Sequence, residues 1–402
     1  MKKKKTGHSP FWYYVVGGLM GYSKIRSHNV EFRIPDEVKA LKPPFVGIAN
    51  HQGYYDWAYA ARAFYPTRFR FVVSRYQFLN PKTGGLLQKL NSIPKSQFTS
   101  DASAVKEIIR TVKRGENIFI FPSGRLSLFG EDDKPVEGTY ELLKKLGVPV
   151  VMVHLDGSYR TAPRYNTEVK RGRVVVSAYV LFTPEELKAM PEAEAKKRLN
   201  NAFCHDDFNS KNVCEFKSDD IAKGLDDLLY ICPDCKSNYT ISVQPGQKIK
   251  CFACGFTSQM DNYFKLKTLR GSAAPETITE WSHIIKDEEK KRILEDPNFC
   301  LNEKMKVCEH VNEKEQLTLT GECEMKLCRE GLFIKGTSND GAFERHYTLK
   351  EYPAMHIFDK IYLLVPDNEK VICVSPVSAK IATRWAVVSE MLSTVLSKDN
   401  SI

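Results

Sequence analysis

Three short stretches of this 402-residue sequence combine side chains that can do chemistry. In the first, Asn50-His51-Gln52-Gly53-Tyr54-Tyr55-Asp56, a histidine and an aspartate stand five apart directly after the apolar run 45–49. On a turn entering a helix such a pair comes into hydrogen-bond contact, and the carboxylate fixes the imidazole tautomer and stabilises the imidazolium. The pair can deprotonate an alcohol, but the nucleophile has to come from a substrate. The sequence holds no Gly-x-Ser-x-Gly elbow to offer a covalent route. In the second stretch, Phe121-Pro122-Ser123-Gly124-Arg125-Leu126-Ser127, a strand runs into a Pro- and Gly-containing turn. Such a turn exposes backbone N–H groups and a guanidinium at a sheet edge, which suits a phosphate or a developing oxyanion. The third is a pair of knuckles, Cys232-Pro-Asp-Cys235 and Cys251-Phe-Ala-Cys254, separated by fifteen residues. Four thiolates at this spacing can surround Zn²⁺ with no open position, which makes the expected site structural; a disulfide or redox pair is the competing reading.

The elements around these residues predict an α/β fold. Apolar runs at 45–49, 69–73, 117–121, 148–153 and 174–177 read as strands, and 56–64, 84–90, 103–113 and 139–146 as helices. Alternation of this kind predicts a largely parallel sheet flanked by helices. Thr183-Pro-Glu-Glu opens a further helix, with Ser103 the expected cap of the third one. His154 and Asp156, at the end of the fourth run, read as loop or surface residues. Beyond the zinc ribbon, a charged helical stretch at 280–295 leads into β-rich sequence closed by an apolar-periodic helix at 378–396. That order suits a small β-barrel or pleckstrin-like module.

Charge narrows the partner. The net charge of +10 favours an anionic one. Lys2, Lys3, Lys4, Lys5, Lys24 and Arg26 flank the aromatic run 11–22, with no acidic residue before Val30. The run is too short to span a bilayer, which needs about 20 apolar residues. Its Trp and Tyr suit the headgroup boundary. No small-residue cleavage site follows, so the expectation is a cytoplasmic protein resting on the inner face of an anionic phospholipid membrane.

In order and spacing, these blocks resemble the glycerolipid acyltransferase family, whose motifs run Asn-His-x4-Asp, Phe-Pro-Glu-Gly-Thr-Arg-Ser and Val-Pro-Val-Val-Pro-Val. The third is matched here by Val148-Pro149-Val150-Val151-Met152-Val153. The resemblance covers roughly the first 201 residues. It implies transfer of a fatty acyl group from acyl-CoA or acyl carrier protein to a lysophospholipid such as 1-acyl-glycerol-3-phosphate. His51 and Asp56 would be catalytic, and Arg75, Lys95, Ser123, Gly124 and Arg125 would bind substrate. The sequence departs from the family at Ser123 (for Glu), Arg125 (for Thr) and Leu126 (for Arg), which bears on the acceptor more than on the reaction class. The implied organisation is a membrane-surface segment (1–29), an acyltransferase domain (30–203), a linker (204–229), a zinc ribbon (230–256) and a β-rich domain (277–402). Rival readings are a non-catalytic lipid binder and a zinc-ribbon nucleic-acid binder on a decayed fold. The ribbon stretch has few cations and no aromatic-basic stacking pattern, so nucleic acid is not the expected partner.

Overall fold

The fold was obtained as a computed structural model, which describes residues 10–97, 101–166, 168–309, 317–367 and 370–399. The Lys2–Lys5 run lies outside them. The chain divides into two units. The first comprises Met1–Ser96, Ser100–Pro163 and Thr167–Lys217. The second comprises Ser218–Ile402 and two short excursions of the N-terminal half, Gln97–Thr99 and Arg164–Asn166.

The first unit is built on strands β1 (Asn29–Arg33), β2 (Val46–Ala49), β3 (Phe69–Ser74), β4 (Ile93–Lys95), β5 (Asn117–Ile120), β6 (Val150–Asp156) and β7 (Arg173–Phe182). They pair in the order β1-β7-β6-β2-β5-β3-β4, all parallel except β6 with β7. This is the largely parallel sheet that the alternating pattern predicts. Because side chains alternate across a strand, the apolar runs feed two cores. Phe45, Ala49, Phe119, Val151 and Val153 pack on one face. Val46, Ile48, Ile118, Val150 and Met152 pack on the other. Gly47 leaves room for the Phe119 ring; a Cβ there would lie 2.5 Å from it.

Helices α1 (Asp56–Ala63), α2 (Ala102–Lys113), α3 (Thr139–Leu146), α4 (Pro184–Ala189) and α5 (Glu192–Asn201) accompany the sheet, with shorter helices at Asp36–Lys39, Arg75–Leu79, Gly84–Lys89 and Ser158–Thr161. Asp101, not Ser103, caps α2: its carboxylate accepts from the Ala104 N–H at 3.0 Å, and Ser103 donates to the same carboxylate. Thr183 caps α4 in a reciprocal box with Glu186. Residues 10–25 are helical throughout. Tyr13, Val16 and Ile25 are buried, while Phe11, Leu19 and Tyr22 face solvent. Among the described residues no helix is long and apolar enough to cross a membrane.

The second unit carries a four-stranded antiparallel sheet of β8 (Ile241–Gln244), β9 (Lys248–Cys251), β10 (Thr257–Met260) and β11 (Leu266–Arg270). Helix α6 (Ile278–Glu295) follows, then seven antiparallel strands between Cys300 and Ser375, then α7 (Ala379–Asp399). The two helices share an ion pair, Arg384 with the fully buried Glu289 at 2.7 Å. The β-rich sequence with a terminal helix is therefore present as expected.

Candidate active site

The parallel strands deliver the candidate residues from one edge of the sheet. His51 follows β2, the Ser123–Arg125 turn follows β5, Arg75 follows β3, and Lys95 ends β4. These four strands are neighbours in that order, so the side chains start about 5, 10 and 14 Å from the His51 strand.

His51 Nδ1 lies 2.9 Å from Asp56 Oδ2. The Asp56 carboxylate is fully buried and also accepts from the Gln52 N–H at 2.6 Å, the Gly53 N–H at 2.8 Å and the Ser158 hydroxyl. A carboxylate only accepts, so the ring proton sits on Nδ1 and Nε2 keeps a lone pair for a substrate. Phe121 stacks on the imidazole, centroids 4.1 Å apart and planes 22° from parallel. The Ser127 N–H holds the His51 carbonyl at 2.7 Å. Ring plane, tautomer and backbone are thereby each fixed by a separate contact.

A second carboxylate anchors the same turn from outside. Asp132 Oδ1 accepts from Asn50 Nδ2 at 3.1 Å and from the Gln52 amide. Asn50 also exchanges two hydrogen bonds with the Leu155 backbone, tying the turn to β6. Burial pushes the Asp132 carboxyl up to about 6, against the lowering effect of His205 and the two amides. A raised carboxyl favours the folded state most when protonated, and that contribution is lost as pH rises through about 6. Between pH 7 and pH 4 the wild type should therefore gain stability relative to Asp132→Asn by about 2–3 kcal/mol. Denaturant unfolding of both proteins at several pH values checks this; parallel curves would remove the titration from Asp132.

The phosphate candidates are not bare cations. Arg125 donates Nε and Nη2 to the two oxygens of Asp133 at 2.9 and 2.8 Å. Ser123 is buried and donates to the Arg125 carbonyl at 2.9 Å. Gly124 adopts φ 71°, a conformation suited to glycine, and its N–H is committed to the Phe121 carbonyl. That N–H is thus unavailable to an oxyanion in this arrangement. Arg75 donates to Ser96, Asp101 and Ser103 at 3.2, 3.1 and 3.4 Å. Lys95 donates to the Ser96 carbonyl, and burial lowers its ammonium pKa.

His154 and Asp156 lie in β6 and are largely buried, so they are not loop residues. Asp156 joins His205 and Asp207, and the three could converge on a cation. Arg160 already supplies the compensating charge, 3.3 Å from Asp156 and 3.4 Å from Asp207. Burial would depress the His205 ring, but Asp207, Asp132 and Asp156 hold it raised. Burial beside that charge pushes His154 down to about 4. Asp132, Asp133, Ser158 and His205 were not singled out by sequence reasoning. The acidic triplet Glu131-Asp132-Asp133 directly after the Ser123–Gly130 turn was the available signal.

In the second unit the Cys232, Cys235, Cys251 and Cys254 sulfurs lie within 4.8 Å of one another and form no disulfide. Two Sγ–Sγ separations are 3.7 and 3.8 Å. A tetrahedron of thiolates about 2.3 Å from Zn²⁺ has edges of about 3.8 Å, so the donor set fits that ion.

Residues 25–155 match the family model described as Acyltransferase. A 1-acyl-sn-glycerol-3-phosphate acyltransferase of Brassica napus chloroplasts is 27% identical over 30% of this chain and 35% of its own length. One from Streptococcus pneumoniae is 24% identical over 38% and 56%. The chain thus covers less than two thirds of either relative. The crystal structure of the 1-acyl-sn-glycerophosphate acyltransferase PlsC from Thermotoga maritima aligns over 48% of this chain and 91% of its own, at 19% identity and a TM-score of 0.38. The matched block contains the anchored His51–Asp56 turn and the strands that carry it, and through it residues 25–155 are similar to the acyltransferase domain of the 1-acyl-sn-glycerol-3-phosphate acyltransferases.

Proposed function

We propose that the first unit transfers a fatty acyl group from acyl-CoA or acyl carrier protein to the hydroxyl of a lysophospholipid, 1-acyl-glycerol-3-phosphate foremost, in phospholipid synthesis. The observation that carries this reading is the His51–Asp56 pair, with Nδ1 locked and Nε2 left for a substrate. The acceptor hydroxyl gives its proton to Nε2 while its oxygen attacks the thioester carbonyl. A C–O bond forms, the C–S bond breaks, and the imidazolium returns the proton to the departing thiolate. Asp56 stabilises the imidazolium in between.

Reach selects among the cations. Four bonds separate the free hydroxyl of 1-acyl-glycerol-3-phosphate from phosphorus, a span of about 5 Å. Arg125 follows the strand next to that of His51, whereas Lys95 ends a strand three positions away, which favours Arg125. Arg125 is therefore the phosphate contact, and Asp133 is its resident counter-ion, which a phosphate has to displace. In the second unit the four cysteines hold structural zinc. Phe11, Leu19 and Tyr22, exposed along residues 10–25, rest the protein on the cytoplasmic face of the membrane.

The test is acyl transfer from labelled acyl-CoA and acyl carrier protein to lysophosphatidate, glycerol 3-phosphate and monoacylglycerol on anionic liposomes. Wild type and Asp133→Asn run side by side. Lysophosphatidate should be the best acceptor, and Asp133→Asn should lower its KM about fivefold, leaving monoacylglycerol unaffected. Transfer to none of them by folded protein would replace this reading with non-catalytic lipid binding.

A further inference from the structure

The β8–β11 sheet has one dry face and one wet face. Ile241, Ile249, Ser258, Met260 and Leu266 are buried. On the other side Lys248, Lys250, Gln259 and Lys267 are exposed. Strand register aligns them: Gln259 is flanked by Lys248 on β9 and Lys267 on β11, and Thr257 by Lys250 and Arg270. The Arg270 guanidinium reaches the second knuckle, 3.2 Å from where a Cβ on Gly255 would stand. Among the described residues, Lys248, Lys250, Lys267 and Arg270 have no carboxylate within 4.0 Å. Residues 230–273 hold six basic side chains and two acidic ones. Both acids are engaged at loops, Asp234 with the Ser272 and Ala273 N–H groups and Asp261 with those of Tyr263 and Lys265.

Apolar groups stand among these cations. Phe252, in the second knuckle, is 69% exposed and Leu269 on β11 is 48% exposed. The Phe252 N–H is bonded to the Thr240 carbonyl at 3.0 Å, so the ring projects from a fixed backbone. Like charges spaced about 7 to 10 Å apart on an uncompensated face repel one another. An anionic plane removes that repulsion and takes up the ring and the leucine at the same time.

We propose that this face docks on a bilayer carrying anionic phospholipid. The choice of a bilayer over another polyanion rests on the proposed reaction, whose acceptor is a lipid, and on Leu269, an aliphatic side chain that acyl chains take up; Phe252 by itself suits either partner.

The experiment is vesicle flotation of the full chain, with phosphatidylcholine alone or mixed with phosphatidylglycerol. Wild type is compared with Lys248→Glu/Lys267→Glu and with Leu269→Ser. Zinc content and circular dichroism verify each fold, and Lys248→Gln/Lys267→Gln substitutes for a reversal that loses zinc. Wild type should float with the anionic vesicles only, less so in high salt, and the double reversal should weaken binding at least tenfold (about 1 kcal/mol per charge). Variants that float as wild type does would overturn the proposal. So would a single-stranded RNA oligonucleotide that binds through the same lysines while vesicles do not. Acyl transfer to detergent-dispersed lysophosphatidate is read in parallel. Its absence alongside lysine-dependent flotation would leave the docking face standing and remove the catalytic reading.

Discussion

Replacing His51 with alanine should lower acyl transfer by about 10³-fold, with binding of the acyl donor retained. General base catalysis by a positioned side chain contributes typically 10²–10⁴-fold, and among the described residues no other histidine stands on the His51–Asp56 turn to take over. His154 is buried and turned into the Asp207 cluster. The loss should fall on kcat rather than KM, because the ring acts on a proton in flight and not on the resting substrate. Phe121 loses its stacking partner in the variant, so the melting temperature is measured beside the rate. A folded variant retaining more than about a tenth of the wild-type rate would remove His51 from the proton transfer.

Loss of zinc should have the largest effect on stability. Cys251→Ser, or stripping the wild type with a chelator, should destabilise the second unit by several kcal/mol and lower its melting temperature by roughly 10 °C or more. A metal held by the four cysteines would span two knuckles whose backbones lead directly into the unit's core. Trp281 is fully buried, donates its indole N–H to the Ile231 carbonyl at 2.9 Å and meets Phe256 edge to face at 5.5 Å. Its fluorescence should shift to the red on metal loss, and reading it in a Trp12→Phe/Trp57→Phe background separates this transition from unfolding of the first unit. Purified protein without zinc, melting unchanged after Cys251→Ser, would make the four thiols ordinary reduced cysteines.

Much of the frame was legible because its causes are local. Continuous apolar runs such as Val46-Gly-Ile-Ala49 mark strands buried on both faces, and Thr183-Pro-Glu-Glu names its own helix start. The edges were not legible. β1 is mostly exposed and polar, and β4 is three residues long with a proline at its centre, which only an edge tolerates. The His51–Asp56 spacing shows a pair that can meet. Nothing local shows that Ser158, 102 positions on, donates to Asp56, or that Asp132 holds Asn50 and Gln52. The Arg125–Asp133 pair spans only eight residues, yet it depends on how the turn folds back. Sequence spacing reveals which groups are near along the chain; the counter-ions that tune them come from wherever the sheet brings another loop.

The chain visits its second unit twice before residue 218. Tyr165, buried in that unit, gives its hydroxyl to the Ile221 carbonyl, and Asn166 gives its amide to the Asp220 carbonyl. Arg164 bonds to the Ile357 and Asp359 carbonyls. A protein ended at Lys217 would keep these three residues and lose every partner just named, leaving a tyrosine and a guanidinium stranded in the middle of its own loop. A single cut at Lys217 therefore does not release the first unit from the second, because three of its loop residues are folded into the other unit's hydrogen bonds.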